Sequence, residues 1–332
     1  MKTLLRHREA ALAVIIALLV LIFATRAEGF ASPGNLATIF NDTSILIILA
    51  LGQMVVIMTK SIDLSVAANL AFTGMAVAML DASFPGLPLA LLVLCAIAIG
   101  ALLGALNGYL VWALGMPSIV VTLGTLTIYR GMAFVLSGGA WVNAHQMTAD
   151  FLNMPRTVLA GLPLLSWVAV LVVAVAWLVM TRSSFGRATY AAGGNPTAAV
   201  YAGINIGRTQ FLAFVLSGTL AGLCGYLWVS RYAVAYVDVA SGFELDTVAA
   251  CVIGGISIAG GIGSVAGTVL GALFLGVIKN ALPVIGISPF AQMAISGFVI
   301  VLAVVFNARS ERRKGRIILR DQSIQSKSEV AA

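Results

Sequence analysis

Stretches of about 20 apolar residues recur along almost the whole of this chain, and no other feature restricts its fold so strongly. A helix rises 1.5 Å per residue, so each such run is long enough to cross a hydrocarbon core of ~30 Å. Lipid offers no hydrogen bonds to the backbone, so only helices or a closed barrel can cross it. A barrel would need short alternating strands, whereas these runs are continuously apolar. The expected fold is therefore all-α, a polytopic membrane protein.

The apolar runs place spans near 10–24, 45–59, 64–80, 88–112, 118–136, 163–180, 209–230, 245–259, 265–281 and 289–307, ten transmembrane helices in all. The eighth is short, and either crosses or re-enters. Lys2, Arg6 and Arg8 precede the first run as in a secretory signal, but Ala24-Thr25-Arg26-Ala27 is a poor cleavage site and further spans follow, so the run is read as an uncleaved helix.

Orientation follows from the Lys and Arg residues, because short cytoplasmic loops hold the excess of positive charge. The clusters are Lys2, Arg6 and Arg8; Arg182, Arg187 and Arg208; and Arg309, Arg312, Arg313, Lys314, Arg316 and Arg320. Both termini and the 181–208 loop are thus expected on the cytoplasmic side, with six spans before that loop and four after it. The net charge of +7 is accounted for by topology and contact with anionic membrane lipid. No motif interleaves the charges with aromatics as nucleic-acid binding would require. Residues 1–308 form one membrane domain, and 309–332 a basic, Ser-rich tail expected to be disordered beyond Arg320.

Within a chain that is 61% hydrophobic and 9% charged, the interruption Thr59-Lys60-Ser61-Ile62-Asp63-Leu64-Ser65 stands out. An ionisable side chain at bilayer depth costs roughly 2.5–3.5 kcal/mol even on lenient scales. Asp63 has two readings: a cap, with Ser61, for a helix starting near Leu64, or a group that lines or closes the cytoplasmic side of a path, paired with Lys60.

Glycines at small-xxx-small spacing, Gly100 with Gly104 and Gly218 with Gly222 among them, suit close helix packing. Gly100-Ala-Leu-Leu-Gly-Ala-Leu106 is echoed by Gly267-Thr-Val-Leu-Gly-Ala-Leu273 on a helix of opposite sense. The echo suggests an inverted repeat of two five-helix halves, a habit of transporters.

Enzymatic chemistry finds little to use. His7 and His145 lack partners at metal-ligand spacing, and Cys95, Cys224 and Cys251 lie singly in apolar helices. No phosphate-binding Gly-x-x-x-x-Gly-Lys-Ser/Thr run is present. The glycines of Gly254-Gly255-Ile-Ser-Ile-Ala-Gly260-Gly261-Ile-Gly263 lack the lysine and point to a helix break or close packing.

Four segments together carry a resemblance: Ser61-Ile62-Asp63-Leu64-Ser65-Val66; Ser118-Ile-Val-Val-Thr122-Leu-Gly124-Thr125 followed by Arg130-Gly131; Ser184-Phe-Gly-Arg187 with Gly193-Gly194-Asn195-Pro196 and Gly203-Ile204; and Glu244-Leu-Asp246 with Gly254-Gly255. In this order, over about residues 40–307, the chain resembles the permease subunit of ribose-type ABC sugar importers. The resemblance implies a protein of the bacterial inner membrane that moves a monosaccharide inward, such as the pentoses ribose, xylose and arabinose or the 6-deoxyhexose rhamnose. Galactose and autoinducer 2 are substrates of similar permeases. It implies three partners: a cytoplasmic ABC ATPase that carries the ATP and Mg, a periplasmic sugar-binding protein, and a second permease subunit. The chain itself is then expected to bear no catalytic residue, cofactor or metal.

The family's coupling loop maps onto the basic 181–208 segment, with Arg187, Gly193, Gly194, Asn195, Ala198 and Gly203 at the ATPase contact. The local sequence suits that role, since Gly-Gly-Asn-Pro is a turn and helix-start signal and Thr197–Gly203 is a helix of mostly small residues. The chain departs from the family pattern at Ser61 and Ala67, where glycine is common, which puts the shape of that break in question.

Gln53, Asn69, Asn107, Thr122 and Thr125, neutral polar residues on apolar helices, are candidates with Asp63 for the substrate path; each alone would serve equally as interhelical glue worth ~0.6 kcal/mol. Glu244 and Asp246 either contact the binding protein or cap the eighth helix. An ion-coupled carrier is the alternative class, and only Asp63 approaches the buried relay it would need.

Overall fold

A computed structural model describes residues 8–288 and, further on, 290–292, 294, 295, 297, 298 and 301. The expected tenth span falls mostly outside the described residues, and the basic tail entirely so. The helices are α1 (Arg8–Ala24), α2 (Pro33–Met58), α3 (Val66–Ser83), α4 (Leu89–Ala113), α5 (Ser118–Ser137), α6 (Ala149–Asn153), α7 (Leu164–Arg182), α8 (Ser184–Gly194), α9 (Pro196–Tyr201), α10 (Ile206–Tyr232), α11 (Phe243–Ile253) and α12 (Val265–Val284). Among the described residues, seven of these are long and apolar enough to cross a membrane, and α1 is a shorter apolar helix. The chain is a polytopic all-α membrane protein.

α2 is the central helix, buried almost continuously from Thr43 to Met58. It begins twelve residues before the expected span. Ser32 caps it by accepting from the Asn35 N–H, Pro33 takes a first-turn position, and the polar residues of its first half have partners. Asn41 accepts from the Ser166 hydroxyl at 3.0 Å, and Asp42 pairs with Arg231. Hydropathy alone undervalues a segment whose polar groups are satisfied inside the bundle.

α10 packs along α4 at a distance only glycine permits. A Cβ on Gly100 would stand 2.6 Å from Gly222 Cα, and one on Gly104 would stand 2.9 Å from Gly218 Cα. Close approach of this kind is how membrane helices gain packing energy where lipid matches apolar side chains. The pairing of α4 with α10 and α3 is mirrored by that of α12 with α2 and α11, the crossed pattern an inverted repeat produces. The match is partial: α1 lies on α12, whereas α7 lies on α2. The echoed glycines also meet unlike partners, since Gly271 approaches Ala250 of α11 and its C-cap residue Gly254.

α11 has 11 residues, about 16 Å, half the thickness of a hydrocarbon core. Beyond it the chain continues without helix to Ser264, where α12 starts beside the beginning of α1: the Ser264 hydroxyl donates to Glu9. The segment 243–264 thus runs from one end of the bundle to the other as a half-helix followed by turns. At the end opposite Arg182, Arg187 and Arg208, the two-residue strands Val142–Asn143 and Val234–Ala235 pair antiparallel and join the loops that follow α5 and α10. The buried carboxylate of Asp81, on α3, accepts from the Thr148 N–H and hydroxyl, both at 2.8 Å, and anchors α6 there.

Candidate permeation and coupling site

The interruption between α2 and α3 is a closed backbone motif. The Ser61 N–H donates to the Val56 carbonyl at 3.3 Å and the Lys60 N–H to the Ile57 carbonyl at 2.9 Å, the bond pair of a Schellman cap. Lys60 holds the left-handed position, φ +64°, usually taken by glycine. The strained residue of the break is therefore Lys60, and the Cβ of Ser61 is accommodated. α3 starts at Val66 with Ser65 as N-cap and no side-chain cap bond, so the expected capping of a helix at Leu64 by Asp63 and Ser61 is not what forms.

Asp63 instead organises a buried hub and is 2% exposed. Its Oδ1 accepts from the Ser65 N–H at 3.0 Å and the Ser65 hydroxyl at 2.7 Å; its Oδ2 accepts from Ser217 of α10 at 3.2 Å. Asn107 of α4 donates to Ser65 Oγ at 2.8 Å and accepts from Tyr129 of α5 at 3.3 Å. With its amide oriented to satisfy both partners, Gln53 spans the Asp63 backbone, donating to the carbonyl at 3.0 Å and accepting from the N–H at 3.3 Å. Thr122 donates to the Ile62 carbonyl at 3.2 Å, and Ser118 accepts from the Ile62 N–H at 3.1 Å. Lys60 forms no ion pair with Asp63; among the described residues the ion pairs are Arg231–Asp42 and Lys279–Asp246.

Gln53, Asp63, Asn107 and Thr122 thus converge on one break, held by α2, α4, α5 and α10. Asn69 stands a turn further along α3, donating to the Gly100 carbonyl at 3.1 Å and accepting from Thr73. Thr125 donates to the Thr122 carbonyl at 3.4 Å, within α5. All six are buried in the protomer. Sequence reasoning missed Ser217 and Tyr129, which lack any local motif.

The 181–208 segment folds as two short helices. Ser183 caps α8, accepting from the Gly186 N–H at 3.0 Å, and α8 runs through Gly194 where a turn was expected. Asn195 then caps α9 by accepting from the Ala198 N–H at 3.1 Å, and Gly203 leaves it at φ +80°. Gly193 is buried against the bundle, while Arg187, Gly194, Asn195, Ala198 and Gly203 are exposed. Arg187 donates to the Arg182 carbonyl at 3.3 Å. Tyr201, 89% exposed at the end of α9, is the most prominent apolar group on this surface, and the small-residue reading of the loop passed over it.

At the opposite end, Glu244 accepts from the Gly242 N–H at 3.2 Å, and Asp246 pairs with Lys279 of α12, whose ammonium also lies 5.0 Å from the centre of the Phe243 ring. Both carboxylates are engaged within the chain at the start of α11.

Residues 35–304 match the family described as branched-chain amino acid transport system, permease component. The chain belongs to this permease family. The permease is 37% identical over 305 residues to the ribose import permease protein RbsC of Escherichia coli (strain K12), covering 90% of this chain and 93% of that one. It is 37% identical to the autoinducer 2 import system permease protein LsrC of Enterobacter sp. (strain 638), with 93% and 89% covered. To LsrC of Klebsiella pneumoniae it is 38% identical, with 95% and 91% covered. No solved structure matches. The permease is a multi-pass protein of the inner membrane.

Proposed function

We propose that this chain is the membrane subunit of a binding-protein-dependent ABC importer carrying a monosaccharide, a pentose or 6-deoxyhexose, into the cytoplasm. The observation that carries this reading is the arginine-bearing face, where α8 and α9 present Gly194, Asn195, Ala198 and Tyr201 outward while Gly193 seats them on the bundle. A short exposed helix with an apolar tip suits docking in a groove of a separate ATPase. That ATPase would hold the ATP and Mg, a periplasmic protein would deliver the sugar, and a second permease subunit would complete the pore. Glu244 and Asp246 lie at the face that would meet the binding protein.

The hub supports this class over an ion-coupled carrier. Asp63, the acidic group a coupled carrier would need, already accepts three hydrogen bonds. We assign Gln53, Asp63, Asn69, Asn107, Thr122 and Thr125 to the packed wall beside the path, where they hold the helices that must part. Autoinducer 2 is the second substrate reading, because relatives at equal identity are named for its import.

Uptake of radiolabelled ribose, xylose, arabinose, rhamnose and autoinducer 2, with and without deletion of this chain, tests the proposal. Loss of uptake of one sugar, restored by a plasmid copy and dependent on the ATPase, is the expected result. Loss confined to autoinducer 2 selects the second reading. Uptake driven by an ion gradient rather than ATP would overturn the class.

A further inference from the structure

Three backbone segments meet in direct contact at the arginine-bearing end, beside the Lys60 side chain that lies against Gly260. The Gly261 N–H donates to the Met58 carbonyl at 3.0 Å, satisfying one of the last carbonyls of α2. Gly193 of α8 lies across that bond: a Cβ there would overlap both the Met58 oxygen and the Gly261 nitrogen. Gly261 holds φ +73°, and a Cβ on it would stand 2.5 Å from Gly194 Cα. Two side-chain bonds brace the contact, from the Tyr190 hydroxyl to the Gly263 carbonyl at 3.0 Å and from Gln210 to the Thr59 carbonyl at 3.2 Å.

The juxtaposition brings the end of α8 onto both discontinuities of the membrane bundle, the α2–α3 break at 59–65 and the non-helical run between α11 and α12. A displaced side chain can change rotamer and absorb a movement; close-packed backbone passes it on. Five residues beyond Met58, Asp63 holds Ser65 at the start of α3 and Ser217 of α10, so work done on Met58 reaches two membrane helices.

We propose that Gly193 and Gly261 form a rigid transmission joint that passes displacement of the α8–α9 segment directly into both helix breaks. The inference rests on the reading of this chain as an ABC permease. Gly193 and Gly261 are positioning residues: they touch backbone, and their requirement is the absence of a Cβ.

The test uses the permease assembled with its ATPase in lipid nanodiscs, with a fluorophore on Lys60→Cys in a Cys95→Ala background; Lys60 is exposed, and Cys224 and Cys251 are buried. ATP is expected to shift the fluorescence of this complex. Gly261→Ala, which lies outside the docking segment, is expected to keep ATPase co-purification and hydrolysis but to lose most of the ATP-dependent shift. A shift of parental size in Gly261→Ala, or none in the starting complex, overturns the joint. If Gly261→Ala fails to reach the membrane, Tyr190→Phe decides: a reduced shift supports the joint and an unchanged one overturns it. Failure of the ATPase to co-purify with the starting chain is a different result, and sinks the ABC reading itself.

Discussion

Asn107 Nδ2 donates to Ser65 Oγ across 2.8 Å, tying the last third of α4 to the N-cap residue of α3. The same hydroxyl donates to Asp63, so Ser65 relays between an amide on α4 and a carboxylate in the break. Buried polar chains of this kind are worth most when every member is satisfied, and they fail together when one is removed.

Asp63→Ala should therefore destabilise the protein by about 1–3 kcal/mol, the cost of leaving buried donors on Ser65 and Ser217 without an acceptor. Asp63→Asn, which keeps an acceptor oxygen, should lose less. Thermal unfolding of the purified protein in detergent measures the difference, and equal losses would contradict the hub.

At the α4–α10 contact, Gly104→Val should lower the yield of folded protein sharply, since overpacking costs typically about 1–3 kcal/mol and the opposing surface is backbone. Gly124→Ala, whose Cβ enters open space, should leave the melting temperature unchanged. Size-exclusion profiles of the two variants separate tight packing from a general intolerance of glycine replacement.

Lys279→Met alone should destabilise more than Lys279→Met combined with Asp246→Leu, because the single change strands the carboxylate of Asp246, which is buried. The order of the three melting temperatures decides this, with the parent highest or level with the double variant. A single variant as stable as the parent would show that the ion pair contributes nothing.

Tyr201→Ala should weaken association with the ATPase about tenfold or more, the ordinary penalty for truncating an aromatic anchor at an interface. Membrane insertion and the melting temperature of the isolated permease should not change, because Tyr201 packs against little of its own chain. Gly194→Val, on the same face, should abolish uptake with insertion intact. Co-purification titrations and uptake assays measure these effects, and full activity in both variants would remove α9 from the docking surface.

Much of this was legible in the chain itself. Apolar runs declare membrane helices because lipid cannot satisfy a backbone, and the Asn-Pro pair marks the start of α9 because capping is local. The family pattern likewise lies in contiguous segments. What escaped sequence reading depends on residues far apart: the extension of α2 to Pro33, which rests on partners such as Arg231 and Ser166; the left-handed Lys60; and the hub in which Ser217 and Tyr129 reach Asp63 and Asn107. The sequence alone determined that lipid is the solvent of the long helices and marked the stops at 59–65 and in the glycine run 254–263. Only the tertiary structure decided which of those stops meet, because the contact of Gly193, Met58 and Gly261 lies between backbones, where no side-chain pattern records it.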